Sequence, residues 1–179
     1  PVTFSNVNIG TASVDRIIVV VSSTTLAAVS SLTEDGNSTT KEVEEGTQIS
    51  NMQIRQGADS TGTTGDIVLS AGGPDMANAA IIVGNIKGAA SGTPTSTNTA
   101  SQSTDPASVT ITVPTGGVAV VGYIGTGGGT WSNATFDLEV TTAVGILSVA
   151  HTTTAGSQTP TYTTGGANVS HMVAAAWGP

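Results

Sequence analysis

Apolar residues in this chain fall in short runs bounded by Gly, Pro, Asp and Asn. No run keeps an i, i+3, i+4 spacing over three helical turns. The pattern predicts strands at 4–9, 16–23, 27–32, 40–45, 49–55, 66–70 and 79–86, then at 108–113, 117–124, 135–141, 146–152, 160–164 and 170–177. Many short strands with turn residues between them predict an all-β protein, an antiparallel β-sandwich.

Between the two groups of strands lies a stretch rich in Gly, Ser, Thr and Pro, residues 87–106, with no apolar residue larger than Ala. It reads as an extended connection, 89–105, joining halves 1–88 and 106–179 of a single domain. The halves repeat one order of elements. Val20 aligns with Val121, Glu42 with Glu139, Ile49 with Ile146, Ile54 with His151 and Ile86 with Trp177. The expectation is two pseudo-repeated halves, each burying too little alone, closed together into one sandwich.

Four runs, "IIVVV", "AAIIVG", "VAVVG" and "MVAAAW", are apolar at successive positions. A sandwich strand with one wet face alternates apolar and polar instead. Both faces of these strands must therefore be covered, either from within the chain or by a neighbouring chain, since a large exposed apolar area marks an interface.

Composition removes several function classes. With 4 Lys and Arg against 12 Asp and Glu, the net charge of −8 excludes a basic nucleic-acid surface, and an anionic membrane would repel the chain. There is no cysteine, hence no disulfide framework or thiol chemistry. No apolar run approaches the roughly 18 residues of a membrane span. The opening "PVTFSNVNIG" lacks the basic and apolar regions of a signal peptide, so synthesis in the cytoplasm is expected.

The glycine-rich "VVGYIGTGGGTW", 120–131, raises the question of a phosphate loop. Such a loop opens a helix and lends it free N–H groups. Here "TWSNATFDLEV" follows, which favours a strand, and no Lys or Arg lies beyond Lys87. Gly125 to Gly129 are expected to form a strand-connecting loop.

Candidate chemistry is sparse, and no cofactor or metal is expected. His151 and His171 are the only histidines, and neither has a second His at metal-ligand spacing. His151 is placed at an inward or rim position and His171 at a partly exposed strand start. No Gly-x-Ser-x-Gly elbow occurs. The acidic "TEDGN" and "KEVEEG", with Glu42 and Glu44 on one strand face, read as a solvated acidic edge or a Ca²⁺ site. Trp131 and Trp177 read as core or rim packing.

The segments "VNIGTASVDRIIVVVSS", "SLTEDGNSTTKEV", "GTTGDIVLS" and "AAIIVGNIKG" resemble a β-sandwich of structural proteins on the surface of tailed bacteriophages, and "STDPASVTITVPTGGVAVVGYIG", "TWSNATFDLEV" and "AAAW" continue the likeness. The resemblance implies a jelly-roll-like fold and a non-enzymatic virion role, as a capsid decoration (cement) protein or head fibre. It carries over no catalytic residue. The implied partners are the major capsid protein and copies of the chain itself, a trimer being favoured by shell symmetry, with no nucleic acid and no membrane. The alternatives are a tail-associated receptor- or glycan-binding adhesin and a jelly-roll glycan hydrolase.

Overall fold

Every regular element among the described residues of the computed structural model is a strand; these residues are 1–47, 50–57, 61–72, 76–142, 145–166 and 169–179. Ile49, aligned above with Ile146, lies outside them. The first half supplies β1 (Val2–Asn8), β2 (Ile17–Thr25), β3 (Val29–Glu34), β4 (Asn37–Ser38), β5 (Thr40–Thr47), β6 (Ser50–Gly57), β7 (Thr64–Ala71) and β8 (Asn78–Ile86). Then follow β9 (Ser96–Gln102), β10 (Ala107–Ser108), β11 (Ile111–Val113), β12 (Val118–Gly125) and β13 (Thr130–Ser132). The chain ends with β14 (Thr135–Thr142), β15 (Gly145–Thr152), β16 (Gly156–Gln158), β17 (Thr161–Thr163) and β18 (Ser170–Trp177). All pairings are antiparallel.

The antiparallel sandwich is present twice. A first inner sheet, β5-β6-β2-β8, faces a second inner sheet, β14-β15-β12-β18-β9. Outside the first lies β1-β7-β3-β4; outside the second lie β10-β17-β13 and β11-β16. The two halves each contribute a pair of layers, with β9 of the connection added at the edge of the second inner sheet, and among the described residues four layers stack around three cores.

This stacking accounts for the doubly apolar strands. Ile17, Val19 and Val21 of β2 join the central core with Ile82, Val173, Ala175 and Trp177. The alternate residues Ile18 and Val20 join the first outer core with Leu32, Ile67 and Leu69. On β12 and β18, Ala119, Val121, Tyr123, Met172, Ala174 and Ala176 form the second outer core with Ile111 and Tyr162. Both faces of these strands are covered from within the chain.

The inner sheets share one strand order, with β2, β5, β6 and β8 in the places of β12, β14, β15 and β18. Ile17 pairs with Ile86 as Val118 pairs with Trp177, in the register that the sequence alignment used. The β5–β6 unit differs. Ile54 stands opposite Val21 as Val149 stands opposite Gly122, so Ile54 matches Val149, two residues short of His151. The displacement keeps the same strand face, which is why alternation alone did not reveal it.

The connection 89–105 is not merely a link. Its Ser96–Gln102 is β9, paired with β18 from Ser96↔Ala176 to Gln102↔Ser170. The Trp177 Nε1 donates to the Gly92 carbonyl at 2.8 Å and to Gln56 Oε1 at 3.3 Å, tying the connection to both halves. β9 reads "STNTASQ" and lies at a sheet edge, so it needs no apolar alternation and left no signal.

Gly122 faces the first inner sheet with no room for a side chain. A Cβ there would lie 2.7 Å from Met52 Cε, 2.8 Å from Val21 Cγ1 and 3.3 Å from Val173 Cγ2. Replacing Gly122 with Val should therefore lower unfolding free energy by about 1–3 kcal/mol through overpacking. Replacing the exposed Gly84, whose Cβ would meet nothing within 4 Å, with Ala should change it by less than about 0.5 kcal/mol. Urea denaturation of both variants measures the difference.

Candidate functional site

Stacked sheets expose their edges along two flanks. β5 lies over β18 and β9 on one flank, and β8 lies beside β14 and β15 on the other. The β5 edge carries Lys41, Glu42, Glu44 and Glu45, and the β9 edge is polar except for Ala100. The opposite flank is more apolar, although it also carries Lys87, Asp137 and His151. There β14 leaves Phe136 56% and Leu138 50% exposed.

Two adjoining grooves run along this flank. The larger, of about 620 Å³, lies between β8 and β14 and is lined by Ile82, Val83, Val118, Val120, Leu138 and His151, among others. The second, of about 460 Å³, lies between β1 and β8 and is lined by Phe4, Val7, Ile81 and Val83, with Leu138 shared.

A polar pair sits at the larger groove. His151 Nδ1 and Asp137 Oδ1 are 2.7 Å apart, both side chains 38% exposed. β14 bulges between Phe136 and Leu138, which takes Asp137 out of the regular ladder and beside His151. His151 is thus at a rim, as its strand position implied. Its carboxylate partner was missed, because the bulge is invisible in the alternation of "TFDLEV".

His171 corrects the expectation of a partly exposed strand start. It is only 7% exposed, because β18 lies between β12 and β9 with sheets on both faces. Its Nδ1 has no hydrogen-bond partner among the described residues. Burial lowers its pKa, against a smaller opposing effect of Glu45.

Several acidic residues are tied up locally. A β-bulge between Lys41 and Val43 interrupts the alternation that would have placed Glu42 and Glu44 on one face. Burial raises the Glu42 pKa. For Glu44 burial acts upward too, but hydrogen bonds from Lys41, Asn51 and Gln53 outweigh it and hold the carboxyl below its usual range. In "TEDGN", Asp35 accepts from the Asp66 N–H at 2.7 Å, and Asp66 from the Asn6 N–H at 2.8 Å, fastening edges of the first outer sheet. Among the described residues, no three His, Asp or Glu side chains gather as a metal site.

The glycine-rich segment connects β12 to β13 and opens no helix. Gly129 lies so close to the chain at 163 that a Cβ would sit 2.1 Å from the Thr163 carbonyl oxygen. Its N–H donates to the Tyr162 hydroxyl at 2.7 Å, which donates to Glu139 at 2.6 Å. Burial, reinforced by the Glu139 carboxylate, pushes the Tyr162 pKa up and keeps the phenol protonated. Trp131 meets the Tyr162 ring edge-on at 5.1 Å and donates to Ser148 Oγ at 2.9 Å. Trp177 is 1% exposed in the central core.

No protein-family model matches the chain, and neither a curated protein nor a solved structure matches it.

The buried imidazole makes a pH prediction. His171 titrates below its usual 6.5 when folded, so the unfolded chain takes up its proton first. Stability is full above 6.5 and falls as pH drops from there through the lowered folded value. Glu42, raised above 4.5, acts with the opposite sign and nearer that pH. Melting temperature measured from pH 8 to pH 5 should fall for the parent chain and stay flatter for His171→Leu; equal slopes would remove His171 as the cause.

Proposed function

We propose that this chain is a non-enzymatic structural protein of a phage virion, a decoration protein seated on the outer surface of the head. The observation that carries the reading is the apolar flank. Phe136 and Leu138 are about half exposed beside two adjoining grooves, on a molecule whose opposite flank is charged and polar. A half-exposed Phe and Leu on one edge strand suit a contact patch, since aromatic residues concentrate at interface centres. The strand-and-turn resemblance to phage surface proteins gives the class of partner.

The carboxylates weighed for hydrolysis give a glycosidase little support. Glu42 lies on β5 and Glu139 on β14, strands of different sheets on opposite flanks. Glu139 is engaged by Tyr162. The acid of the larger groove, Asp137, is paired with an imidazole rather than with a second carboxylate.

Decoration works through many modest contacts made together across subunit seams. Heads of the encoding phage lacking this chain should bind the purified protein saturably and melt at a higher temperature once covered. Phe136→Ser with Leu138→Ser should weaken that binding while leaving the protein's own melting temperature nearly unchanged. Absence of head binding, combined with saturable binding to host-surface glycans, would replace the reading with the adhesin. Polysaccharide turnover lost on Asp137→Asn would replace it with an enzyme.

A further inference from the structure

We infer that the β8 edge is a self-association surface, at which two copies of this chain pair β8 against β8 in antiparallel fashion. The inference does not rest on the capsid reading.

Sheet proteins protect exposed edges with charges, bulges or short strands, because an open edge is a template for another strand. Each other long edge carries a protective feature or is polar. β5 has Lys41, Glu42, Glu44, Glu45 and a bulge. β14 has Asp137, Glu139 and a bulge. β1 has a bulge between Phe4 and Val7, with Asn6 at φ 55°. β9 is polar throughout except Ala100. β4, β10, β11, β13, β16 and β17 are two or three residues long.

Among the described residues, β8 is the one sheet edge that is long, uncharged, mostly apolar and regular. It reads "NAAIIVGNI", nine residues, and pairs with β2 from Ile17↔Ile86 to Thr25↔Asn78 without a register break. Among the described residues, no further strand pairs with its other side. Grooves lined by apolar residues flank it on both sides.

Charge selects the occupant. The chain's net charge of −8 would ordinarily call for a basic partner. Around β8 the balance is different. The larger groove contains Lys87, Asp137 and His151, and the second contains no charged residue. A two-fold contact sets each surface against itself, so it needs a surface without excess charge. β14 paired with β14 would bring Asp137 and Glu139 near their own copies, and like charges opposite each other destabilise a ladder. β8 paired with β8 brings no ionised groups opposite each other. Two four-stranded inner sheets would then become one continuous sheet, and Phe136 and Leu138 would lie beside the seam. This contact is two-fold and so competes with the three-fold arrangement expected from shell symmetry.

Gly84 provides the test. It is exposed on β8, and a Cβ there meets nothing within 4 Å, so a side chain can leave the backbone at this position without a clash. Light scattering coupled to size exclusion, run on the full chain from micromolar to near-millimolar concentration, should show a species of two 17.5 kDa chains. Gly84→Lys should raise the dimer dissociation constant by roughly tenfold or more, with an unchanged melting temperature at dilutions where the parent is monomeric. Gly84→Ala should retain the dimer. A parent chain that stays monomeric throughout, one that forms trimers, or a Gly84→Lys variant that dimerises as well as the parent would each overturn the inference.

Discussion

The structure depends on the face-to-face contact of its two inner sheets. That contact sets β-branched and small residues, Val19 and Val21 against Val173 and Ala175, among the larger Met52, Leu147 and Trp177, with Gly122 leaving room for Met52 and Val21. Small side chains let two sheets lie close and interdigitate at crystal-like density. Once β2, β12 and β18 are committed to this contact, their other faces are still apolar, and exposing them to water would be costly. The chain resolves this by adding an outer layer on each side. Topology follows from that need: the short strands β10, β11, β13, β16 and β17 exist to roof the second inner sheet, and β1, β3, β4 and β7 roof the first.

Polar groups inside the stack obey the same constraint. Arg55 is 4% exposed, and it donates to Gln53 and to the Val29 and Ser30 carbonyls, binding the first inner sheet to its outer layer. Burial lowers its pKa, opposed by the charge of Glu44. The edges show the complementary rule. Where a strand cannot be roofed or paired, charge or a bulge generally protects it, and the flank where β8 lies is the exception from which the functional proposals are drawn.

Much of the fold was legible in the sequence because it is written in alternation. The runs "IIVVV" and "MVAAAW" required cover on both faces, and the positions of the thirteen predicted strands follow from spacing and turn residues alone. Spacing could not say who supplies the cover, so a neighbouring chain remained open until the outer layers were seen. β9 was hidden because an edge strand bonded on one side can be wholly polar. The Asp137–His151 pair was hidden because a bulge shifts one residue out of the ladder without altering composition. His171 was misplaced because a strand's first residue is usually near a rim, and here the sheet continues past it into β9.

The central claim is that the apolar strands are covered by their own chain. Residue-resolved amide hydrogen exchange, measured on a dilute sample and again at high concentration, tests it most directly. Amides of Ile18 to Ser23 in β2, Ala119 to Tyr123 in β12 and Met172 to Ala176 in β18 should be the most protected in the molecule, equally so at both concentrations. If those amides exchange quickly when dilute and become protected only at high concentration, the cover comes from a neighbour, and the four-layer account is wrong.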